Sequence, residues 1–300
     1  MTLQLAGKVV LITGATEGIG KAAALEFAKR GATLTIVGRN KQKSEAVLAE
    51  LKSASGNPNI ELLLCDLSKL ADVRRAAAGF RATHDRLDIL ALNAGAMFPK
   101  PTLGADGYEL TFALNHLAHF QLTTSLLDLI SKTPGARVVS TSSSMQSRAR
   151  FDLASTPTTT EGSGATAYAN AKLANILFTK ELQRRLEGTA AIANCFHPGI
   201  VKTKFGAFGA DFGLFHKIVY SLAAPFAKTP EQGADTLVWL ATSPEAGSLK
   251  GEYVSNRRVV TPSAAARDSQ LAADLWSVSE RLCDQASGHA GVSASSVQPS

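Results

Sequence analysis

A tyrosine and a lysine four residues apart, Tyr168 and Lys172, form the most chemically suggestive pair in this sequence. On a helix, positions i and i+4 share a face, so the phenol and the ammonium would stand side by side. A free tyrosine has a pKa of about 10, and an adjacent cation favours the phenolate and lowers that pKa. The pair could then donate or accept a proton near neutral pH. An ordinary surface pair has the same spacing, so the motif alone leaves both interpretations open.

Three predicted strands end in short polar or glycine-containing turns. Those turns are Asn93-Ala94-Gly95 after strand 87–92, Ser142-Ser143-Ser144 at the end of strand 136–142, and His197-Pro198-Gly199 after strand 190–196. Ligands of open α/β sheets bind at the carboxyl edge of the strands. Each turn could simply join two elements, but together with the tyrosine–lysine pair the turns predict an active site at this edge.

Residues 13–20 read Thr-Gly-Ala-Thr-Glu-Gly-Ile-Gly and lie between an apolar run and a predicted helix. The glycines at positions 14, 18 and 20 allow the backbone to approach a pyrophosphate closely. The free N–H groups and the positive dipole end of the helix face the negative charge. The turn therefore predicts a nucleotide cofactor at the first strand, although such turns also merely join a strand to a helix.

The elements that must position these residues alternate along the chain. Strand patterns lie at 8–13, 32–37, 60–65, 87–92, 136–142, 190–196 and 251–255, and helical patterns near 19–30, 41–54, 70–83, 107–131, 167–187, 230–242 and 265–284. Near-continuous apolar strands separated by helices are typical of a parallel sheet covered on both faces. We predict an α/β fold, a doubly wound parallel sheet (Rossmann fold) of about seven strands, in one domain spanning residues 1–285.

Three segments depart from this alternation. Residues 144–166 form a long polar loop, residues 204–228 are rich in Phe and Gly and resemble an apolar lid, and residues 286–300 read as a disordered tail. The helix near 108–130 carries few charges and needs cover on more than one face. A second subunit in a homodimer or the helix at 167–187 could supply that cover.

Bulk composition excludes several classes of function. The net charge of +6 in 300 residues is dispersed, which argues against nucleic-acid binding. Cys65, Cys195 and Cys283 are odd in number and far apart without a CxxC motif, so we expect a reducing, cytoplasmic location and no metal site. No run of about 18 apolar residues predicts a transmembrane anchor, and the early first strand argues against a secretion signal.

In their order, these motifs resemble those of the short-chain dehydrogenase/reductase family over residues 5–284. The resemblance rests on residues 13–20, Asp66, 93–95, Asn115, Ser143, Tyr168 with Lys172, and 198–199. Within the family the sequence looks most like the retinol-dehydrogenase-like branch, through residues 114–120, 168–178, 197–201 and 228–233.

The resemblance implies a catalytic role for four residues. Tyr168 would exchange a proton with the substrate oxygen, and Ser143 would hydrogen-bond the carbonyl as an oxyanion donor does. Lys172 would hold the nicotinamide ribose hydroxyls and lower the pKa of the tyrosine. Asn115 would support a water-linked proton relay behind Lys172, unless it only caps or kinks a buried helix.

The expected cofactor is NADP(H), with NAD(H) as the alternative. Arg39 directly follows the second strand and can pair with a 2′-phosphate, and Lys43 could add charge. Glu17 departs from this pattern, because many NADP-dependent relatives carry a basic residue there. The expected cofactor-binding residues are Gly14, Thr16, Glu17, Gly18, Ile19, Gly20, Arg39, Asp66, Leu67, Asn93, Ala94, Gly95, Tyr168, Lys172, Pro198, Gly199, Val201 and Thr203.

The expected substrate is a small hydrophobic alcohol or carbonyl. Ser143 and Tyr168 lie 25 residues apart, and the intervening loop together with the phenylalanine-rich segment suggests a sizeable apolar pocket for a retinoid, steroid, lipid aldehyde or aromatic ketone. The phenylalanines could instead only pack a helical cap onto the sheet. A different class of function, a non-catalytic NADP(H)-binding regulator on the same fold, stays as the alternative to an oxidoreductase.

Overall fold

The computed structural model describes residues 4–201 and 227–292. Its strands are β1 (Val9–Thr13), β2 (Thr33–Gly38), β3 (Ile60–Leu64), β4 (Ile89–Leu92), β5 (Arg137–Thr141), β6 (Ile192–Phe196), β7 (Tyr253–Ser255) and β8 (Arg258–Val259). They form one sheet in the order β3-β2-β1-β4-β5-β6-β7-β8. Strands β1 to β7 pair in parallel, and only β8 is antiparallel. The predicted doubly wound parallel sheet is confirmed.

The two-residue strand β8 was not predicted, so the described sheet has eight strands where about seven were expected. Asn256 and Arg257 join it to β7 with φ angles of 50° and 59°. Positive φ at both central residues defines a type I′ hairpin turn, which usually carries glycine. Here Arg257 is held by its ion pair with Asp235 and by its backbone N–H, 3.3 Å from Thr236 Oγ1. Side-chain contacts replace the usual glycine signal.

The described helices are α1 (Gly18–Lys29), α2 (Lys41–Ser55), α3 (Leu70–Thr83), α4 (Leu110–Phe112), α5 (Ala118–Ser125), α6 (Leu127–Lys132), α7 (Gly164–Arg185), α8 (Pro230–Thr242) and α9 (Ser269–Val292). A π-helical turn (Ala113–Leu117) joins α4 to α5, so the single helix predicted near 107–131 is divided. Side chains of Asn40, Ser163 and Thr229 cap α2, α7 and α8. None of the helices in the described ranges is long and apolar enough to cross a membrane.

Helices cover both faces of the sheet because the strands are apolar on both sides. Val10 and Ile12 of β1 pack into one core with α1, α2 and α8, whereas Leu11 packs into the other core with α3, α5, α7 and α9. This leaves the carboxyl ends of the strands as the open edge, as expected for a doubly wound sheet.

Helix α9 covers the apolar helix pair α5 and α7 within the chain. The Trp276 ring meets Phe120 edge-to-face with ring centres 4.8 Å apart and stacks on Phe178 at 5.9 Å. His116 and Ser279 Oγ add a buried hydrogen bond of 2.8 Å. Of the two predicted sources, the helix at 167–187 supplies part of the cover, because Phe178 packs against Phe120 with ring centres 6.0 Å apart. Helix α9 was not predicted as a source and supplies a further part. Homodimerisation stays a prediction.

Helix α9 also extends beyond its predicted end. It runs to Val292, whereas the sequence pattern placed the helix end near 284 and a disordered tail from 286 onward. The predicted tail boundary is therefore corrected, and residues 293–300 lie outside the described ranges. The predicted lid at 204–228 also falls outside them, apart from Ala227 and Lys228.

Candidate active site

Hydrogen bonds join three strand ends into one edge. Thr13 ends β1, and its Oγ1 accepts from the backbone N–H groups of Asn93 and Ala94, each at 3.0 Å. The Asn93 amide donates to the backbone oxygens of Thr13 (3.3 Å) and Gly14 (3.4 Å). Thr141 at the end of β5 reaches Asn93 Oδ1 at 3.5 Å. The turn 93–95 is thus fixed between the glycine turn and β5.

A buried histidine that the sequence reading missed supports this edge. His119 Nε2 lies 3.2 Å from Thr13 Oγ1. Burial lowers the pKa of His119 to about 3, so the ring is neutral at physiological pH. Because two N–H groups already donate to the Thr13 hydroxyl, its own proton is free to point to His119 or to the Ala91 carbonyl at 3.4 Å. Only the position of His119 in an apolar helix could have drawn attention to it.

The glycine turn is closed so tightly that side chains would not fit. Gly14 and Gly18 have φ of 68° and 54°, in the left-handed region. A Cβ on Gly20 would lie 2.1 Å from the Gly14 oxygen. Glu17 is the N-cap of α1, but its side chain makes no capping hydrogen bond. The first N–H groups of α1 therefore remain available to an anion, which fits a bound pyrophosphate.

Tyr168 and Lys172 lie together on α7 as their spacing predicts, but they are buried. Lys172 Nζ is 5.3 Å from the centre of the Tyr168 ring and donates to the Thr141 backbone oxygen at 3.1 Å. Asn175, another residue missed from the sequence, donates to the same oxygen at 3.0 Å. Only 2 % of Lys172 and 9 % of Tyr168 are exposed. The surface-pair interpretation is therefore wrong.

Burial pushes both groups towards their neutral forms. It raises the pKa of the Tyr168 phenol, while the hydrogen bond with Ser143 opposes the rise. It lowers the pKa of Lys172 from 10.5 to about 7. The prediction that Lys172 lowers the pKa of Tyr168 is therefore wrong for the protein without cofactor. Desolvation raises that pKa, and the lysine opposes it little because the lysine is itself only partly charged near neutral pH.

The three consecutive serines after β5 have different surroundings. Ser142 is buried and donates from Oγ to the Lys172 backbone oxygen at 2.7 Å, so it joins β5 to α7. Ser143 is partly buried, hydrogen-bonds Tyr168 and accepts from the Met145 N–H at 3.2 Å. Ser144 is exposed. Of the three, Ser143 alone is described with a hydrogen bond to the tyrosine.

Asn115 lies in the π-helical turn, beside the lysine. Its amide donates to the backbone oxygens of Ala96 (2.7 Å) and Thr111 (2.8 Å). A Cβ on Gly95 would lie 2.5 Å from Asn115 Oδ1 and 3.3 Å from Lys172 Nζ, so the three residues share one small space. Asn115 Oδ1 is buried and has no hydrogen-bond partner among the described residues. The helix distortion and the proximity to Lys172 thus occur together.

Further charged and polar residues lie at the ends of β2 and β3. Arg39 is exposed directly after β2. Lys43 Nζ lies 2.6 Å from Glu17 Oε2. Asp66 Oδ1 accepts from the Ser68 N–H at 3.1 Å and from Ser68 Oγ at 2.7 Å, and the neighbouring Leu67 is buried. Thr16 approaches Gly38, where a Cβ would lie 3.3 Å from its methyl group.

The turn after β6 completes the edge. Gly199, preceded by Pro198, has a φ of 84°, and its N–H donates to His197 Nδ1 at 3.2 Å. A Cβ on Gly233 of α8 would lie 2.9 Å from a Val201 methyl carbon and 3.0 Å from Ile19 Cγ1. These contacts place Val201 beside the start of α1. The predicted contact residue Thr203 lies outside the described ranges.

Sequence comparison identifies the family. The profile described as short chain dehydrogenase matches residues 8–209. This chain belongs to the short-chain dehydrogenase family. The family assignment makes the protein an oxidoreductase, in agreement with the site assembled above.

Individual relatives refine the assignment. Human retinol dehydrogenase 11 is 37% identical over 283 residues, which cover 94% of this chain and 87% of the relative. A Streptomyces protein proposed to be a daunorubicin C-13 ketoreductase, DnrU, is 36% identical over 280 residues, 92% of each chain. A Burkholderia cenocepacia short chain dehydrogenase solved with NADP is 25% identical with a TM-score of 0.67, covering 88% of this chain and 100% of its own. The chain belongs to the retinol-dehydrogenase-like branch.

Proposed function

We propose that the protein interconverts a hydrophobic alcohol and its carbonyl with NADP(H). The observation that carries the proposal is the meeting of Ser143, Tyr168 and Lys172 at the sheet edge that also holds the glycine turn. A proton donor, an oxyanion donor and a phosphate-binding turn are the groups that carbonyl reduction by a dinucleotide needs.

Ser143 and Tyr168 would hold the substrate oxygen between them. In the direction of reduction, the Tyr168 hydroxyl donates its proton to that oxygen while Ser143 Oγ donates a hydrogen bond to the developing charge. The nicotinamide, when bound, supplies the hydride. The raised pKa of Tyr168 keeps the phenol protonated before the reaction, which suits a proton donor.

Lys172 is suited to restoring that proton. With a pKa lowered to about 7 it exchanges protons readily near neutrality. Asn115 Oδ1 is buried, has no partner within residues 4–201 and 227–292, and lies beside the same space. It can accept a hydrogen bond from a ribose hydroxyl, a water or the ammonium itself. These two side chains would position the nicotinamide ribose and pass the proton towards Tyr168.

The preference for NADP(H) rests on Arg39. Its guanidinium follows β2, where the adenosine ribose is expected, and a guanidinium pairs well with a phosphate dianion. The Burkholderia relative was solved with NADP, which supports the same choice. Asp66 would face the adenine amino group, and the turn 93–95 would line the adenosine side of the cleft.

The proposed substrates are a retinoid, a steroid, a lipid aldehyde or an aromatic ketone. The human relative is named for the alcohol retinol, and the Streptomyces relative is named for the C-13 ketone of daunorubicin. The three cysteines are all buried, which suits the reducing cytoplasm that we propose as the protein's location.

An NADPH-oxidation screen with retinal, steroid ketones, medium-chain aldehydes and quinones tests the proposal. We expect turnover of at least one apolar carbonyl, and Tyr168→Phe should abolish that turnover while NADPH still binds. Tyr108→Phe is the matched control, because the Tyr108 hydroxyl is also buried but donates to the Leu282 oxygen at 2.7 Å, at α9. Binding of NADPH without turnover of any carbonyl would favour the non-catalytic regulator instead.

A further inference from the structure

Three charged residues, Glu17, Arg39 and Lys43, have nearby backbone positions where β2 ends. Arg39 follows Gly38, and a Cβ on Gly38 would lie 3.3 Å from Thr16 Cγ2 and 2.1 Å from Ser44 Oγ. Thr16 precedes Glu17 in the glycine turn, and Ser44 follows Lys43 in α2. Glu17, Lys43 and Arg39 are the chain neighbours of these contacting residues, so their backbone positions lie near one another between the glycine turn and the first turn of α2.

Of the two cations, Lys43 forms an ion pair within the described ranges and Arg39 does not. Lys43 Nζ is 2.6 Å from Glu17 Oε2, and both side chains are close to half exposed. Arg39 makes no ion pair or hydrogen bond with any residue in the part of the chain that the structure describes. Two positive charges and one negative charge leave a net charge of +1, with Lys43 already paired.

The Glu17 side chain does not cap helix α1. As the N-cap of α1 it could accept from the first N–H groups, as Asn40 does for Lys43 N in α2. Its carboxylate is directed to Lys43 instead. A second carboxylate–ammonium pair, Lys21 with Glu50 at 2.6 Å, also joins α1 to α2.

We propose that Glu17 is a specificity-determining residue that weakens the preference for a 2′-phosphorylated dinucleotide. It does so by repelling the phosphate and by pairing with Lys43, so that Arg39 is the one of these two cations that is left without an ion pair to a described residue. This inference rests on the proposed NADP(H) function. An ion pair between partly exposed side chains is weak, so a bound phosphate dianion can compete with the Glu17 carboxylate for Lys43. That competition reduces what Lys43 contributes to phosphate binding.

Titration calorimetry of NADPH and NADH into the wild type, Glu17→Gln and Glu50→Gln tests the proposal. Glutamine keeps the size of the side chain and removes its charge. Removing one charge near a phosphate should lower the Kd for NADPH about tenfold in Glu17→Gln, with less than about a twofold change for NADH. Glu50→Gln removes the same charge from the same two helices and should change neither Kd. Thermal unfolding of each variant checks that the fold is retained.

Two results would overturn the inference. If Glu17→Gln changes both Kd values by one factor, the carboxylate acts on the pyrophosphate turn that both dinucleotides share. If Glu17→Gln weakens NADPH binding alone, the ion pair positions Lys43 for the phosphate rather than withholding it. If the wild type binds NADPH and Glu17→Gln leaves the ratio of the two Kd values unchanged, this inference alone is refuted. A wild type that binds neither dinucleotide refutes the proposed function.

Discussion

Replacing Lys172 with methionine should make the cofactor-free protein more stable near neutral pH while removing its activity. The ammonium is 2 % exposed and donates to one oxygen, that of Thr141, at 3.1 Å. Its pKa falls from 10.5 to about 7 in the fold. At about 1.4 kcal/mol per unit, folding with this lysine costs about 5 kcal/mol at low pH. Methionine fits a similar unbranched volume, and the Thr141 oxygen keeps its bond from Asn175 at 3.0 Å.

The sign of the pH dependence follows from the direction of the shift. Because the folded pKa lies below the unfolded value, the unfolded chain binds more protons between pH 7 and 10.5. The cost of burying Lys172 is therefore complete below pH 7 and disappears as the pH rises towards 10.5. After subtracting about 1 kcal/mol for the lost hydrogen bond, Lys172→Met should be about 3 kcal/mol more stable near pH 7 and equal to the wild type near pH 10.

Urea unfolding of both proteins without cofactor, at several pH values across this range, measures the difference. Lys180→Met is the control, since Lys180 lies on the same helix, is only partly buried and donates to the Gly251 oxygen at 3.4 Å. We expect no comparable pH dependence for Lys180→Met. A Lys172→Met protein less stable than the wild type near pH 7, or a difference independent of pH, would refute the reasoning that burial dominates the state of this lysine.

Four further substitutions test other contacts. Ser143→Ala should lower kcat/KM about 100-fold or more. Ser142→Ala should retain turnover, although each of the two variants should lose about 1 kcal/mol of unfolding free energy with its hydrogen bonds. Loss of turnover in Ser142→Ala alone would exchange the two roles. Gly20→Ala should cost at least about 2 kcal/mol and abolish NADPH binding in calorimetry, because its Cβ would lie 2.1 Å from the Gly14 oxygen. Phe178→Ala should cost about 3–5 kcal/mol in denaturant unfolding, and a much smaller loss would mean that the aromatic cluster with α9 is not tightly packed.

The strand ends and the tyrosine–lysine pair could be predicted from the sequence because they follow from short-range rules. The periodicity of apolar residues, the placement of glycines and the i,i+4 spacing are all local features of the sequence. The parallel sheet then brings the carboxyl ends of the strands together. Rules of this kind predicted both ends of each strand from β1 to β7 to within two residues, and they placed Tyr168 and Lys172 on one helix face.

The remaining features depend on tertiary contacts. The π-helical turn at Asn115 exists where that amide bonds the Ala96 and Thr111 oxygens, which sequence spacing does not show. The pKa values of Tyr168 and Lys172 depend on their burial, which the i,i+4 spacing does not show. The contact between Glu17 and Lys43 crosses from α1 to α2, so a charge that looked discordant in the sequence has a partner 26 positions away.

Transfer of deuterium from NADPH labelled at the nicotinamide C4 tests the central claim most directly. The wild type and Tyr108→Phe should place deuterium on the carbinol carbon of the alcohol product, detected by mass spectrometry. Tyr168→Phe should bind the labelled NADPH, measured by calorimetry, and yield no labelled alcohol. The account would be contradicted if Tyr168→Phe formed labelled alcohol at the wild-type rate. It would also be contradicted if a wild type that binds NADPH and the tested carbonyls formed no labelled alcohol.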